Sequence, residues 1–149
     1  MRHIDEVVVH CSATAPNWLR DRPLGENVAE ILRWHVNGNG WRDIGYHLLI
    51  NRDGDIGVGR PVATQGAHTR GRNATTIGVC LIGGRGSSAT DSFHDHFTSE
   101  QDAALRKMIS DLMVRYPGIK KVSGHNEYAN KGCSGFRVRP WFNQPIVPD

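Results

Sequence analysis

The sequence predicts an α/β fold: one domain, residues 1–149, in which helices pack a central mixed β-sheet. Three observations carry this. They are β-branched runs at Val7-Val8-Val9 and residues 77–82, a turn-linked pair of strands between them, and two segments of helical periodicity. A chain of 149 residues, 38% hydrophobic and 22% charged, is long enough to bury one full core.

Val7-Val8-Val9, ending at His10, reads as a buried strand, because branched side chains pack well on a pleated surface. Residues 11–25 are polar and carry Pro16, Pro23 and Gly25, so they read as a loop. From Val28, the positions Val28, Ile31, Leu32 and His35 follow helical spacing until Asn37-Gly38-Asn39-Gly40 stops them. Tyr46-His47-Leu48-Leu49-Ile50 is a second strand. Asn51-Arg52-Asp53-Gly54 turns the chain, and Asp55-Ile56-Gly57-Val58 returns as the hairpin partner. The run at 77–82 is the most hydrophobic strand and belongs at the sheet centre. Gly- and Ser-rich residues 83–88 open a loop. Thr98 and Gln101 form a capping box ahead of a helix whose apolar face is Leu105, Met108, Ile109, Leu112 and Tyr116. Lys121-Val122-Ser123 is a last short strand, and Pro140-Trp141-Phe142 opens a brief terminal helix.

The net charge of +3 suits an anionic surface but is too small to demand nucleic acid as a partner. No apolar run is long enough to span a bilayer, so no membrane partner is expected. The start, Met1-Arg2-His3-Ile4-Asp5-Glu6, lacks the apolar stretch of a secretory signal, so work outside the cytoplasm needs another factor for release. Cys11, Cys80 and Cys133 are odd in number and widely spaced, unlike a disulfide framework; at least one is a free thiol.

Eight histidines are many for this length. His35 sits on a helix face beside Ile31 and Leu32 and reads as packed. His47, inside a strand, reads as a core residue or a support to the site. His94 and His96 form a His-x-His pair in a loop and read as surface residues. His10 and His125 differ, because each follows a short strand at the carboxyl end where α/β sheets place their sites. Cys133 follows in a loop with Gly132 and Gly135. Two imidazoles and a thiolate suit zinc and leave a fourth position for water. The alternative is two strand-end histidines and a buried cysteine without metal. Tyr46 reaches the same edge if its strand runs antiparallel to its neighbour, and Lys131 precedes Cys133 by two residues. A zinc hydrolase needs a group to manage the proton of water and a positive donor for the oxyanion, and these two fit. Gly83-Gly84-Arg85-Gly86 lacks the Lys-Ser/Thr ending of a phosphate loop, and Arg70-Gly71-Arg72 reads as a solvated turn.

The motifs Val9-His10-Cys11-Ser12-Ala13-Thr14, Trp34-His35, Gly40-Trp41-x-x-Ile44-Gly45-Tyr46-His47, Gly66-x-His68, Asn73-x-x-Thr76-Ile77-Gly78-Val79 and Gly124-His125-x5-Lys131-x-Cys133 occur in order from Val7 to Trp141. With them the chain resembles the zinc-dependent N-acetylmuramoyl-L-alanine amidases of the type 2 amidase and peptidoglycan-recognition superfamily. The small amidases of T-odd phages, called lysozymes, are the nearest kind.

The resemblance implies one Zn2+ ion on His10, His125 and Cys133, with Tyr46 and Lys131 as catalytic helpers. It places His68, Asn73 and Trp41 along the groove that receives the muropeptide. It implies a monomeric endolysin that cuts the bond between N-acetylmuramic acid and the L-alanine of the peptidoglycan stem peptide. Relatives that bind peptidoglycan without cutting it typically lack the cysteine, and relatives that recycle muropeptides in the cytoplasm carry Asp there; Cys133 argues against both. Ser134 stands where the family often has proline, Arg137 where an acidic residue is common, and the loop after Thr14 looks longer.

Overall fold

The computed structural model describes residues 2–143. Among these residues five strands, β1 (Glu6–Cys11), β2 (Leu48–Ile50), β3 (Ile56–Val58), β4 (Thr76–Leu81) and β5 (Lys121–Gly124), form one sheet in the order β3-β2-β4-β1-β5. β4 lies at the centre, as its continuous apolar sequence requires. β1 pairs in parallel with both β4 and β5, and β2 pairs in parallel with β4. Only the edge strand β3 runs against its neighbour β2, so the sheet is mixed. Four α-helices, α1 (Leu24–Arg33), α2 (Phe93–His96), α3 (Ser99–Arg115) and α4 (Val138–Asn143), accompany the sheet among the described residues.

Alternation along β1 sorts its side chains between two environments. Val7, Val9 and Cys11 enter the larger core with Ile77, Val79 and Leu81 of β4, Leu105, Met108 and Ile109 of α3, and Trp141 of α4. Each such aliphatic side chain contributes about 1.5–3 kcal/mol when fully buried. On the opposite face, Glu6 and His10 stand in register with Thr76 and Cys80. There Cys80, Leu49 and Ile82 meet Ile31 of α1 and Ile44 in a second, smaller cluster. One face of the sheet is therefore built for packing, and the other carries buried polar groups beside its apolar cluster.

Several sequence expectations shift. α1 starts at Leu24, ahead of Val28, directly after Pro23 at φ −57°. A proline there needs no hydrogen-bond partner for its nitrogen and already has a helical φ. Past Arg33 the helix widens into a π-helical turn, Trp34–Gly38, before the glycine cluster ends it. β1 continues through His10 to Cys11, so His10 lies within the strand rather than after it. β2 begins only at Leu48; it is antiparallel to β3 but parallel to β4, and through β4 to β1, so its start does not lie at the carboxyl end of β1 as the antiparallel reading for Tyr46 required. His94 and His96 lie on the short helix α2, whose capping box pairs Ser92 with Asp95, and not in a loop. They sit beside Asp102 and Asp91 respectively.

His47 is fully buried just ahead of β2. The Gly78 backbone N–H donates to its Nδ1 at 3.0 Å, which leaves Nε2 protonated and 2.8 Å from the Thr64 carbonyl. Burial pushes its imidazole down to about 4. Gln101 is also fully buried. It closes the α3 capping box with Thr98, and its amide also donates to the carbonyls of Ile50 (3.3 Å) and Ile82 (2.8 Å) beyond the helix.

Replacing Gln101 by Ala removes a cap and leaves two buried carbonyls without this donor. A loss of about 2–3 kcal/mol in urea unfolding is expected. Between pH 6.5 and 4 the unfolded chain protonates His47 while the folded chain does not, so its contribution is complete above 6.5 and lost as pH falls. The metal-free protein should lose stability across this window. His47→Gln should reduce that loss by roughly 2–3 kcal/mol, read by chemical denaturation at each pH.

Candidate metal centre

His10 comes from β1, with 1% of its surface exposed. His125 opens a 3-10 turn directly after β5. Because Gly124 is in register with Val9, His10 near the end of β1 and His125 just past β5 come side by side, their ring centroids 4.5 Å apart. Cys133 returns from the following loop, where the Cys11 backbone N–H donates to its Sγ at 3.1 Å. Its Sγ lies 4.0 Å from His10 Nδ1. The ligand atoms of His10, His125 and Cys133 all fall within 4.8 Å of one another.

The electrostatics keep the donor atoms of the two histidines free of protons. Burial, with His68 and His125 close by, drives the His10 imidazole well below its ordinary range; burial and the Lys131 ammonium lower His125. Both rings therefore keep a lone pair at neutral pH. Cys11 and Cys133 share their protons. The hydrogen bond from Cys133 brings the Cys11 thiol down to about 7, while the same bond and burial push Cys133 up. The first proton of the pair leaves readily and the second does not. Two neutral imidazoles and a thiol that a cation would deprotonate make a donor set suited to zinc, with a fourth position left for water.

The ring of Tyr46 lies 5.1 Å from that of His10. Burial, with the Cys80 and Cys133 thiols nearby, pushes its phenol well above the usual range, so it stays a neutral hydroxyl. Lys131 is exposed, yet its charge is felt at both histidines. Trp41 is 36% exposed and packs against His35 at 4.8 Å, and His35 in turn against Tyr46 at 5.4 Å. Trp41 also lines an open groove of about 640 Å³ with Arg42, Arg60, Thr64 and Gln65.

His68 and Asn73, expected along the groove, lie next to each other beside His10. His68 is buried, its Nδ1 2.9 Å from His10 Nε2. Asn73 turns its side-chain oxygen inward to accept from the backbone N–H groups of His68 and Thr69. Burial, with His47 and His125 nearby, holds the His68 imidazole down at about 3. Sequence reasoning missed Cys11 beside Cys133, whereas His35, read as packed, is packed, its Nδ1 accepting from Gly45 N–H at 2.8 Å. The motif His10-Cys11 was a signal for Cys11.

Below the site, the buried Glu6 carboxylate accepts from Ser123, from Tyr128 at 2.5 Å and from Arg72 at 2.6 Å. Burial opposes its ionisation, but those three donors outweigh it and hold the carboxyl below the usual range.

Residues 1–136 match the family model described as N-acetylmuramoyl-L-alanine amidase. The chain is 37% identical over 147 residues to the endolysin of Escherichia phage T7, covering 97% of this chain and 91% of that one. It is 37% identical over 146 residues to the endolysin of Klebsiella phage KP32, covering 97% and 90%. Among solved structures, the amidase LysC from Clostridium intestinale superposes with a TM-score of 0.71 at 23% identity, covering 94% of this chain and 83% of that one. Drosophila PGRP-LB superposes with a TM-score of 0.74 at 24% identity, covering 93% and 78%. These two likenesses share the fold described above, and the family match and the phage relatives show that the chain belongs to the N-acetylmuramoyl-L-alanine amidase family.

Proposed function

We propose that the chain is a zinc-dependent endolysin that hydrolyses the amide between N-acetylmuramic acid and L-alanine in peptidoglycan. Membership of the amidase family makes it a hydrolase of the cell wall. The observation that carries the metal reading is the convergence of His10, His125 and Cys133 within 4.8 Å. Zinc bound there would polarise the scissile carbonyl and lower the pKa of a water toward neutrality.

The chain's own residues would do the rest. His10 and His125 present bare imidazole nitrogens, and Cys133 presents a sulfur already accepting the Cys11 N–H. Tyr46, kept as a phenol, holds its proton on the hydroxyl oxygen and orients the attacking water by hydrogen bonding. The Lys131 ammonium faces solvent, where it can meet the charge that develops on the carbonyl oxygen and donate a proton toward the leaving nitrogen; the proton given up by the attacking water passes to solvent, from which Lys131 is recharged. Trp41 and the groove beside it would receive the muropeptide. The enzyme would work as a monomer, reaching the wall after another factor releases it.

Purified peptidoglycan digested by the protein should yield new alanine amino termini, and a chelator should abolish them. New reducing sugar ends would instead mean a glycosidase. Cys133→Ala should lose both zinc and hydrolysis while still binding peptidoglycan in a pull-down; full activity in that variant would refute the metal assignment. Tyr46→Phe and Lys131→Ala should each lower kcat by about 10²-fold or more with smaller changes in KM, measured by stem-peptide release.

A further inference from the structure

We propose that His68 is a positioning residue, which fixes the tautomer and orientation of His10 through a buried hydrogen-bond chain. The inference rests on the metal reading above. His10 Nδ1 faces Cys133, while its Nε2 lies 2.9 Å from His68 Nδ1. At the far side of the ring, His68 Nε2 lies 3.2 Å from Thr76 Oγ1, which donates to the Arg72 carbonyl at 2.8 Å.

The direction of every bond in this chain follows from its last member. A carbonyl can only accept, so the single proton of the Thr76 hydroxyl is spent on Arg72. Thr76 Oγ1 can then only accept from His68, which places the His68 proton on Nε2. A neutral imidazole with Nε2 protonated has a bare Nδ1, so His10 must donate from its own Nε2. That leaves His10 Nδ1 with its lone pair free, on the side of Cys133 and His125. Thr69 Oγ1, 3.0 Å from His68 Nδ1 and 3.2 Å from His10 Nε2, flanks the junction.

The ring is also held sterically. A β-carbon added at Gly78 would lie 2.5 Å from His68 Cγ, and one at Gly66 would lie 2.7 Å from His68 Cδ2. His68 therefore sits in a slot that exists because both positions are glycine. The His47 ring, 5.7 Å away and nearly perpendicular, adjoins it. With both nitrogens engaged inside the protein, His68 has no donor to offer a substrate. Its effect passes through His10, as hydrogen-bond partners of metal-bound histidines typically act.

The test measures zinc affinity by competition with a chromogenic chelator, beside hydrolysis of peptidoglycan at saturating zinc. His68→Ala should bind zinc 10–100-fold more weakly than the native chain, with kcat reduced and KM within about twofold. His68→Asn, whose side-chain oxygen can accept from His10 Nε2–H, should recover most of the affinity. Native affinity in His68→Ala together with a raised KM would overturn the proposal and make His68 a substrate contact. Failure of the native chain to bind zinc would instead overturn the metal reading. Nitrogen-15 NMR of the native metal-free protein gives a test that needs no variant. His10 should carry its proton on Nε2; a proton on Nδ1 would refute the chain of bonds.

Discussion

A carboxylate with almost no access to water, Glu6 on β1, is held by Ser123, Tyr128 and Arg72. These donors come from β5, from the segment joining His125 to Cys133, and from the loop that carries His68. Taking a carboxylate out of water costs several kcal/mol, and only a full set of donors offsets it. The three partners are thus fixed relative to β1, and the loops bearing the metal-site residues are fixed with them. Arg72 matters twice, because its guanidinium meets Glu6 while its carbonyl ends the chain that leads to His10. The carboxylate at the start of β1 and the imidazole near its end therefore act on one framework.

Above that framework the site divides its labour by burial. His10, the most enclosed of the three proposed ligands, is oriented by contacts within the fold. His125 and Cys133, which border a less enclosed loop, are partly exposed. Tyr46 lies between the site and the groove as a neutral phenol, and Lys131 stands at the solvent side as a positive charge. A hydrolytic site needs this gradient. The metal must be held in fixed geometry, while the substrate, attacking water and leaving amine must be able to come and go.

Much of this was legible in the sequence, and the part that was not has a physical cause. Pattern offered His10, His125 and Cys133 as one of two readings, and the family resemblance chose their grouping. The strand segments, the central place of residues 77–82 and the Thr98–Gln101 capping box follow from local pattern and spacing. The direction of β2 does not, because strand polarity depends on how distant segments pair rather than on alternation. The start of α1 was hidden by Pro23, which resembles a loop residue unless it is read as preparing a helix. His68 was recognisable as belonging to the site, but its burial depends on two glycines, Gly66 and Gly78, that come together only in the folded chain. Gln101 was visible as a cap, whereas its bonds to the ends of two strands are tertiary.

The packed rings of Trp41, His35, Tyr46 and His10 run from the open groove to the proposed metal position. Each ring restricts the rotamers of the next, and the Gly45 N–H bond to His35 anchors the middle of the row. The entropy of ordering these side chains is therefore lost once, when the protein folds. A sugar–peptide strand arriving at the groove meets a wall already in place, so less of its contact energy goes to arranging the protein and more remains for holding the scissile amide in line.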